Sequence, residues 1–256
     1  ALLTRAVVLR VVGNLRAADE SCVRLAPLTP ALIGAGCLAS VASLDGRAAA
    51  AEEALGRALT APDPKTDPSL RLWALTIRAE IAARRGDAEA AERHFRAALS
   101  LGLRDDYLLA AYSDFLFDQG RAADALALLE RAPRTDGLLL RLALAERQVG
   151  APQLAAHVSE ITARFDASRE RGDALHQREE ARFALRLMDR PAQALALALA
   201  NWAVQREPWD ARLVLEAALA AGEPQAAGDV LRWMEATRIE DERLRRLARQ
   251  IGEVRS

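Results

Sequence analysis

Lysine is almost missing from this chain: Lys65 is the only one, and arginine carries nearly all of the positive charge. Aromatic residues make up only 4% of the 256 residues. Two cysteines and three scattered histidines do not supply a structural zinc site. Thirty-five basic residues face 36 acidic ones, for a net charge of −1. Basic and acidic side chains are interleaved, as in Arg169-Glu170-Arg171, so the basic stripe of a nucleic-acid binder is not there. No apolar run reaches the roughly 18–20 residues needed to span a bilayer. No glycine-rich phosphate loop and no serine elbow occur. With 14 glycines, 10 prolines and 51% hydrophobic residues, the chain is too apolar and too poor in breakers to be disordered.

What is present is alanine, leucine and a recurring turn. Ala and Leu have high helix propensity. Apolar residues recur at three- and four-residue spacing, as in amphipathic helices. Gly13, Gly46, Gly86, Gly120, Gly150 and Gly222 interrupt that pattern at intervals of about 35 residues. One interval is double, and Asp189 stands where its missing turn should fall. Five residues beyond each of these turns the residue is alanine: Ala18, Ala51, Ala91, Ala125, Ala155, Ala194 and Ala227. Nine residues beyond, it is mostly apolar, as at Cys22, Leu55, Phe95, Leu129 and Leu231. This is the pattern of two short antiparallel helices. The turn residue takes a positive φ. The small residue lets the second helix approach, and the larger one fills the gap a turn later.

At this point the chain resembles the tetratricopeptide repeat family. The closest units are Leu72–Leu103, with the run Arg85-Gly86-Asp87-Ala88 through Ala91 and Phe95 to Leu99, and Tyr107–Pro133, with Gly120, Ala125, Leu129 and Pro133. The resemblance implies an all-α, right-handed superhelical solenoid of about seven helical hairpins, a protein-binding role and no reaction. The expected repeats span 1–26, 30–60, 68–102, 105–133, 136–165, 173–205 and 209–236. A helix over 240–253, with Leu244, Leu247 and Ile251 on one face, is expected to cap the last open apolar face. Two longer connections break the spacing. Ala61–Pro68 carries three prolines and cannot be helix, whereas Asp166–Asp173 is polar and can extend the helix before it. The chain opens at Ala1 without methionine and already in a helical pattern, which points to an upstream segment.

The resemblance also places the first helix of each pair along a concave groove. Counting back from the turns puts Trp73, Ile77, Glu80 and Arg84 on it, followed by Tyr107, Ala111, Asp114 and Asp118. Further round come Arg141, Leu144, Arg147 and Gln148, then Glu180, Phe183 and Leu187, then Trp209, Leu213 and Glu216. Aromatic and arginine residues together are typical of binding surfaces. The candidate protein-binding residues are therefore Trp73, Arg84, Tyr107, Asp114, Asp118, Arg141, Arg147, Phe183 and Trp209. Their mixed signs suit a peptide ligand carrying both charges. Family members that clamp a terminal carboxylate use lysine and asparagine. This chain has one lysine, in a loop, and only Asn14 and Asn201, so that mode does not carry over.

Other candidates have structural readings. Cys22 and Cys37 fall on neighbouring helices of the first two pairs, where a bridge is sterically allowed. A bridge would imply an oxidising compartment such as a periplasm, and free thiols a cytoplasmic one. His94, His157 and His176 lie in different repeats and do not converge. Asp105-Asp106 and Glu240-Asp241 sit near helix starts, where acids favour the helix dipole. The sequence therefore predicts a non-enzymatic scaffold with no cofactor or metal, holding a peptide or helix of a partner protein. A ligand-responsive sensor, or the interaction domain of a larger enzyme, are the alternatives.

Overall fold

Why the chain folds into hairpins is plainest at Gly86. The computed structural model describes residues 1–61, 67–172 and 177–255, and among them it contains helices and turns but no strand. The helix α5 (Pro68–Arg84) ends at Arg85, and Gly86 turns the chain with φ +84°. Asp87 then caps α6 (Ala88–Leu99) by accepting from the Ala90 N–H at 2.9 Å. Ala91 and Phe95 of α6 are 0% and 1% exposed, so the small residue sits at the close approach and the large one fills the gap. The next pair repeats the device. Asp105 caps α7 (Asp106–Asp118) through the Leu108 N–H at 2.7 Å, and Ala125 and Leu129 of α8 (Ala122–Leu129) are buried.

The other pairs are α1 (Leu2–Val11) with α2 (Leu15–Leu25), α3 (Ala31–Ala42) with α4 (Ala48–Thr60), and α9 (Asp136–Val149) with α10 (Leu154–Glu170). They continue with α11 (Gln177–Arg186) and α12 (Pro191–Trp202), then α13 (Pro208–Ala221) and α14 (Gly228–Thr237), and close on α15 (Glu242–Arg255). The result is an all-α solenoid of helical hairpins with a capping helix. Asp166–Glu170 belongs to α10, so the polar stretch extends that helix. Residues 62–66 of the proline-rich connection, with Lys65, and 173–176 at the expected start of the sixth pair, with His176, lie outside the described residues.

Two hairpins depart from the regular count. The second helices after Gly13, Gly46, Gly86, Gly120 and Asp189 begin two residues beyond the turn residue, and at Gly222 a 3-10 turn (Pro224–Ala227) starts there and leads into α14, but α10 begins four after Gly150. Ala155 is consequently exposed, and Leu154 and Val158 take the inward positions. The expectation of a buried alanine fails at this one turn, while its six counterparts are buried. At Asp189 the φ is +51°, the left-handed geometry that the turn requires without glycine. There the Arg190 N–H reaches back six residues to the Ala184 carbonyl at 2.9 Å. At Gly86 the equivalent bond runs five residues, from Asp87 to Ala82, at 3.0 Å. The Asp189 turn is therefore one residue longer.

Cys22 of α2 and Cys37 of α3 form a disulfide, with Cα atoms 5.5 Å apart. It ties the first hairpin to the second within a small core of Ala6, Ala18, Leu25 and Val41.

The solenoid also meets itself. The Arg206 N–H donates to the Val11 carbonyl at 2.7 Å, and Arg10 pairs with Glu207 at 2.9 Å. Leu44, 1% exposed, packs into the core formed by α11–α15. The Ala48 N–H donates to Glu240 at 2.8 Å across 192 residues of sequence. Gly86 lies so close to Glu242 that a β-carbon there would stand 2.7 Å from its carboxylate. The first layers and the last helices thus share a seam, and the inner helices surround a central space.

Candidate functional site

The central space is a cavity of about 680 Å³. Its wall comes from the first helices of the pairs, because the turns aim their second helices outward. From α5 come Trp73, Ile77, Glu80 and Arg84, and from α7 come Tyr107, Ala111, Asp114 and Asp118. Arg141, Trp209 and Leu213 complete the part of the wall that the sequence anticipated. Trp73 can pack against α3 because Gly36 has no side chain: a β-carbon there would collide with its ring.

One side of the wall is an arginine–carboxylate network. Asp114, 3% exposed, is held by Arg141 at 2.6 Å and Arg182 at 2.8 Å. Burial opposes its ionisation, but the two guanidiniums win and keep its carboxyl below the ordinary carboxylate range. Burial, reinforced by neighbouring Arg141 and Arg212, lowers Arg182. Asp118 receives Arg212 and Arg243, each at 2.8 Å. Arg212 also pairs with Glu216 at 2.9 Å, and Arg186 reaches Glu216 at 2.7 Å. Against the cost of burial, these two cations pull the Glu216 carboxyl down to about 2. The guanidiniums of Arg182 and Arg212 lie 4.7 and 4.2 Å from the centroid of the Trp209 ring, within cation–π range.

The α5 side is different. Tyr107 is 60% accessible, and its hydroxyl donates to Glu80 Oε1 at 2.9 Å. Burial raises the Glu80 carboxyl above its usual range, partly offset by Arg84. The adjacent Glu80 charge raises Tyr107 well above its ordinary value. Arg84 donates to the Ser43 hydroxyl at 2.9 Å, and its Nε is buried without a hydrogen-bond partner.

Two of the nine candidate binding residues, Arg147 and Phe183, lie elsewhere, as do Leu144, Gln148, Glu180, Leu187 and Glu216 of the counted groove positions. Arg147 bonds the Leu187 carbonyl at 2.7 Å and Asp189 at 2.8 Å, bracing the sixth turn. Phe183 is buried at 6% exposure, with its ring 5.5 Å from that of Phe165. The longer Asp189 turn explains it. Counting back from that turn gives Glu180, Phe183 and Leu187, but one extra residue shifts the inward stripe to Glu179, Arg182 and Arg186. Glu179 and Arg182 do line the cavity. The count also passed over Arg178, which bonds Asp210 at 2.5 Å, although it lies one turn before Arg182 on the same helix. Arg10, Glu207, Asp241 and Arg243 reach the cavity through the seam, and no local pattern announces them.

His94 and His157 stay apart. His157 bonds buried Glu146 at 2.8 Å, a contact between α9 and α10, and burial lowers His94 on α6. Among the described residues no cluster of His, Cys, Asp and Glu is arranged to hold a metal ion, and no helix is long and apolar enough to cross a membrane.

Among solved structures, the crystal structure of a tetratricopeptide repeat protein from Parabacteroides merdae is similar to this chain, with a TM-score of 0.54 and 16% identity. The match covers 98% of this chain and 97% of that one. At that identity the likeness establishes the fold alone. No family model and no curated protein matches the sequence.

Proposed function

We propose that this chain, having the tetratricopeptide-repeat fold, is a non-enzymatic interaction scaffold that holds a short segment of a partner protein in its central cavity. The observation that carries the reading is the cavity wall, where Trp73, Tyr107 and Trp209 alternate with arginines and carboxylates around about 680 Å³. Aromatic and arginine anchors facing a concave space are the usual bearers of binding energy. Volume narrows the occupant. A space of that size takes a segment of a few residues, and isolated helices shorter than about 12–15 residues are marginal in water, so an extended or turned segment suits it better than a helix. The disulfide favours an oxidising compartment, such as a periplasm.

The test is a library of end-capped octapeptides titrated against the protein by tryptophan fluorescence. Selected peptides should bind, and Trp209→Ala should weaken them by about tenfold or more while the fold persists. Absence of any binding peptide, or binding indifferent to both Trp73→Ala and Trp209→Ala, would sink the reading.

The seam supports a second reading as a sensor. Joining first and last layers through a few side chains lets a ligand change the superhelix curvature. Small-angle scattering curves that stay identical with and without a bound peptide would argue against it.

A further inference from the structure

The arginines of the cavity wall, all but Arg84, are paired with carboxylates. Arg141 and Arg182 meet Asp114, Arg212 and Arg243 meet Asp118, and Arg10 meets Glu207. Arg84 is the exception among them, and Glu80, like Glu179 and Asp106, is a wall carboxylate without an ion pair among the described residues. Glu80 and Arg84 lie four residues apart on α5, the spacing at which a glutamate followed by a cation ordinarily pairs on a helix. They form no ion pair with each other. Tyr107 holds the carboxylate and Ser43 holds the guanidinium, each at 2.9 Å, so the two charges stand as separate prongs facing the cavity. The prongs are fixed by neighbours on α7 and α3, not by each other.

A ligand meeting both prongs must carry a cation and an anion. The separation can be stated. Residues one helical turn apart have β-carbons about 5–6 Å apart. In an extended peptide, residues i and i+2 point to the same side and lie about 6.6 Å apart. Neighbouring residues i and i+1 point to opposite sides and cannot reach both prongs. Charge balance points the same way. A segment with two like charges would leave one facing a prong of its own sign, a repulsive contact that disfavours it. The other groups near the prongs are already engaged: Glu207 by Arg10 at 2.9 Å, and Asp241 by the Leu244 N–H at 2.9 Å. Trp73 and Ile77, on the same stripe of α5, offer an apolar surface to the residues beside the charged pair.

We infer that the segment held in the cavity carries a basic and an acidic side chain two residues apart, the basic one against Glu80 and the acidic one against Arg84. This rests on the reading of the cavity as a peptide site and specifies which peptide it takes. The Glu80 carboxyl, raised by burial against the pull of Arg84, falls back toward its ordinary range when the ligand cation arrives.

The test uses end-capped alanine-based hexapeptides that differ only in two positions: Lys-x-Glu, Glu-x-Lys, adjacent Lys-Glu, Lys-x-Lys and Glu-x-Glu. Binding is read by tryptophan fluorescence and by isothermal titration. One or both of the i, i+2 opposite-charge peptides should bind about tenfold or more tighter than the rest. Glu80→Lys should move the preference to Glu-x-Glu, a switch that loss of folding cannot mimic. Equal binding by all five peptides overturns the inference and leaves the cavity a peptide site. No binding by any of the five up to about 1 mM also overturns it. Capped library peptides of other composition would then still decide the broader reading.

Discussion

The two sides of the cavity wall treat buried charge in opposite ways. On the side built by α7, α9, α11 and α13, each of Asp114, Asp118 and Glu216 is met by two guanidiniums. On the α5 side, Glu80 and Arg84 are each steadied by one hydroxyl and form no close ion pair. The difference separates architecture from readiness to bind. A closed ion-pair network fixes neighbouring helices and offers little to a ligand, because its members are already satisfied. A carboxylate and a guanidinium held apart by neutral donors and acceptors keep their charge for something else. The opposite carboxyl shifts, Glu216 pulled down to about 2 and Glu80 raised, express the same contrast.

The largest effect that could break this contrast is at Asp114. Asp114→Ala leaves Arg141 and Arg182 buried without a counter-ion and should cost about 3–5 kcal/mol, read from urea denaturation. A loss below about 1 kcal/mol would mean that the network does not hold the wall. Next is the disulfide behind the α5 side, since α3 carries both Cys37 and the Gly36 surface on which Trp73 lies. Cys22→Ser with Cys37→Ser should cost about 3 kcal/mol for a 15-residue loop. It should also alter the Trp73 emission, and an unchanged spectrum would uncouple the disulfide from the wall.

The pH response should be smaller, because the two sides oppose each other. Glu216 titrates at 4.5 when unperturbed and at about 2 when folded, so its stabilisation is complete above 4.5 and is lost as pH falls to about 2. Glu80 and Asp241, raised by burial, work in the other sense and recover stability as they protonate. Glu216→Gln should flatten the acid limb of a stability–pH curve measured by thermal denaturation. The smallest change is expected for Glu80→Gln. It should leave stability within about 1 kcal/mol of the parent, because the amide can still accept from Tyr107 and no ion pair is broken.

Much of the fold could be read along the chain because its causes are local. Glycine-like turns, small residues after them and amphipathic spacing set the hairpins, and even Asp189 announced its turn. The misreadings had equally local causes. A late helix start exposed Ala155, and one extra turn residue moved the inward stripe from Phe183 to Arg182. The cavity was half legible. Trp73, Arg84, Tyr107, Asp114, Asp118, Arg141 and Trp209 followed from counting, since each sits on an inner helix of its own hairpin. Arg10, Glu207, Asp241 and Arg243 did not, because the seam brings them in from opposite ends of the sequence.

That seam changes how the molecule should come apart. An open stack of repeats can fray from either end, each unit holding only to its neighbours. Here both outer layers are gripped by one another, so neither margin is free to peel away. Contacts spanning 192 residues and more form only after everything between them is in place. A chain assembled from short-range pieces thereby acquires a slow final step and, once shut, a single cooperative collapse instead of gradual unzipping.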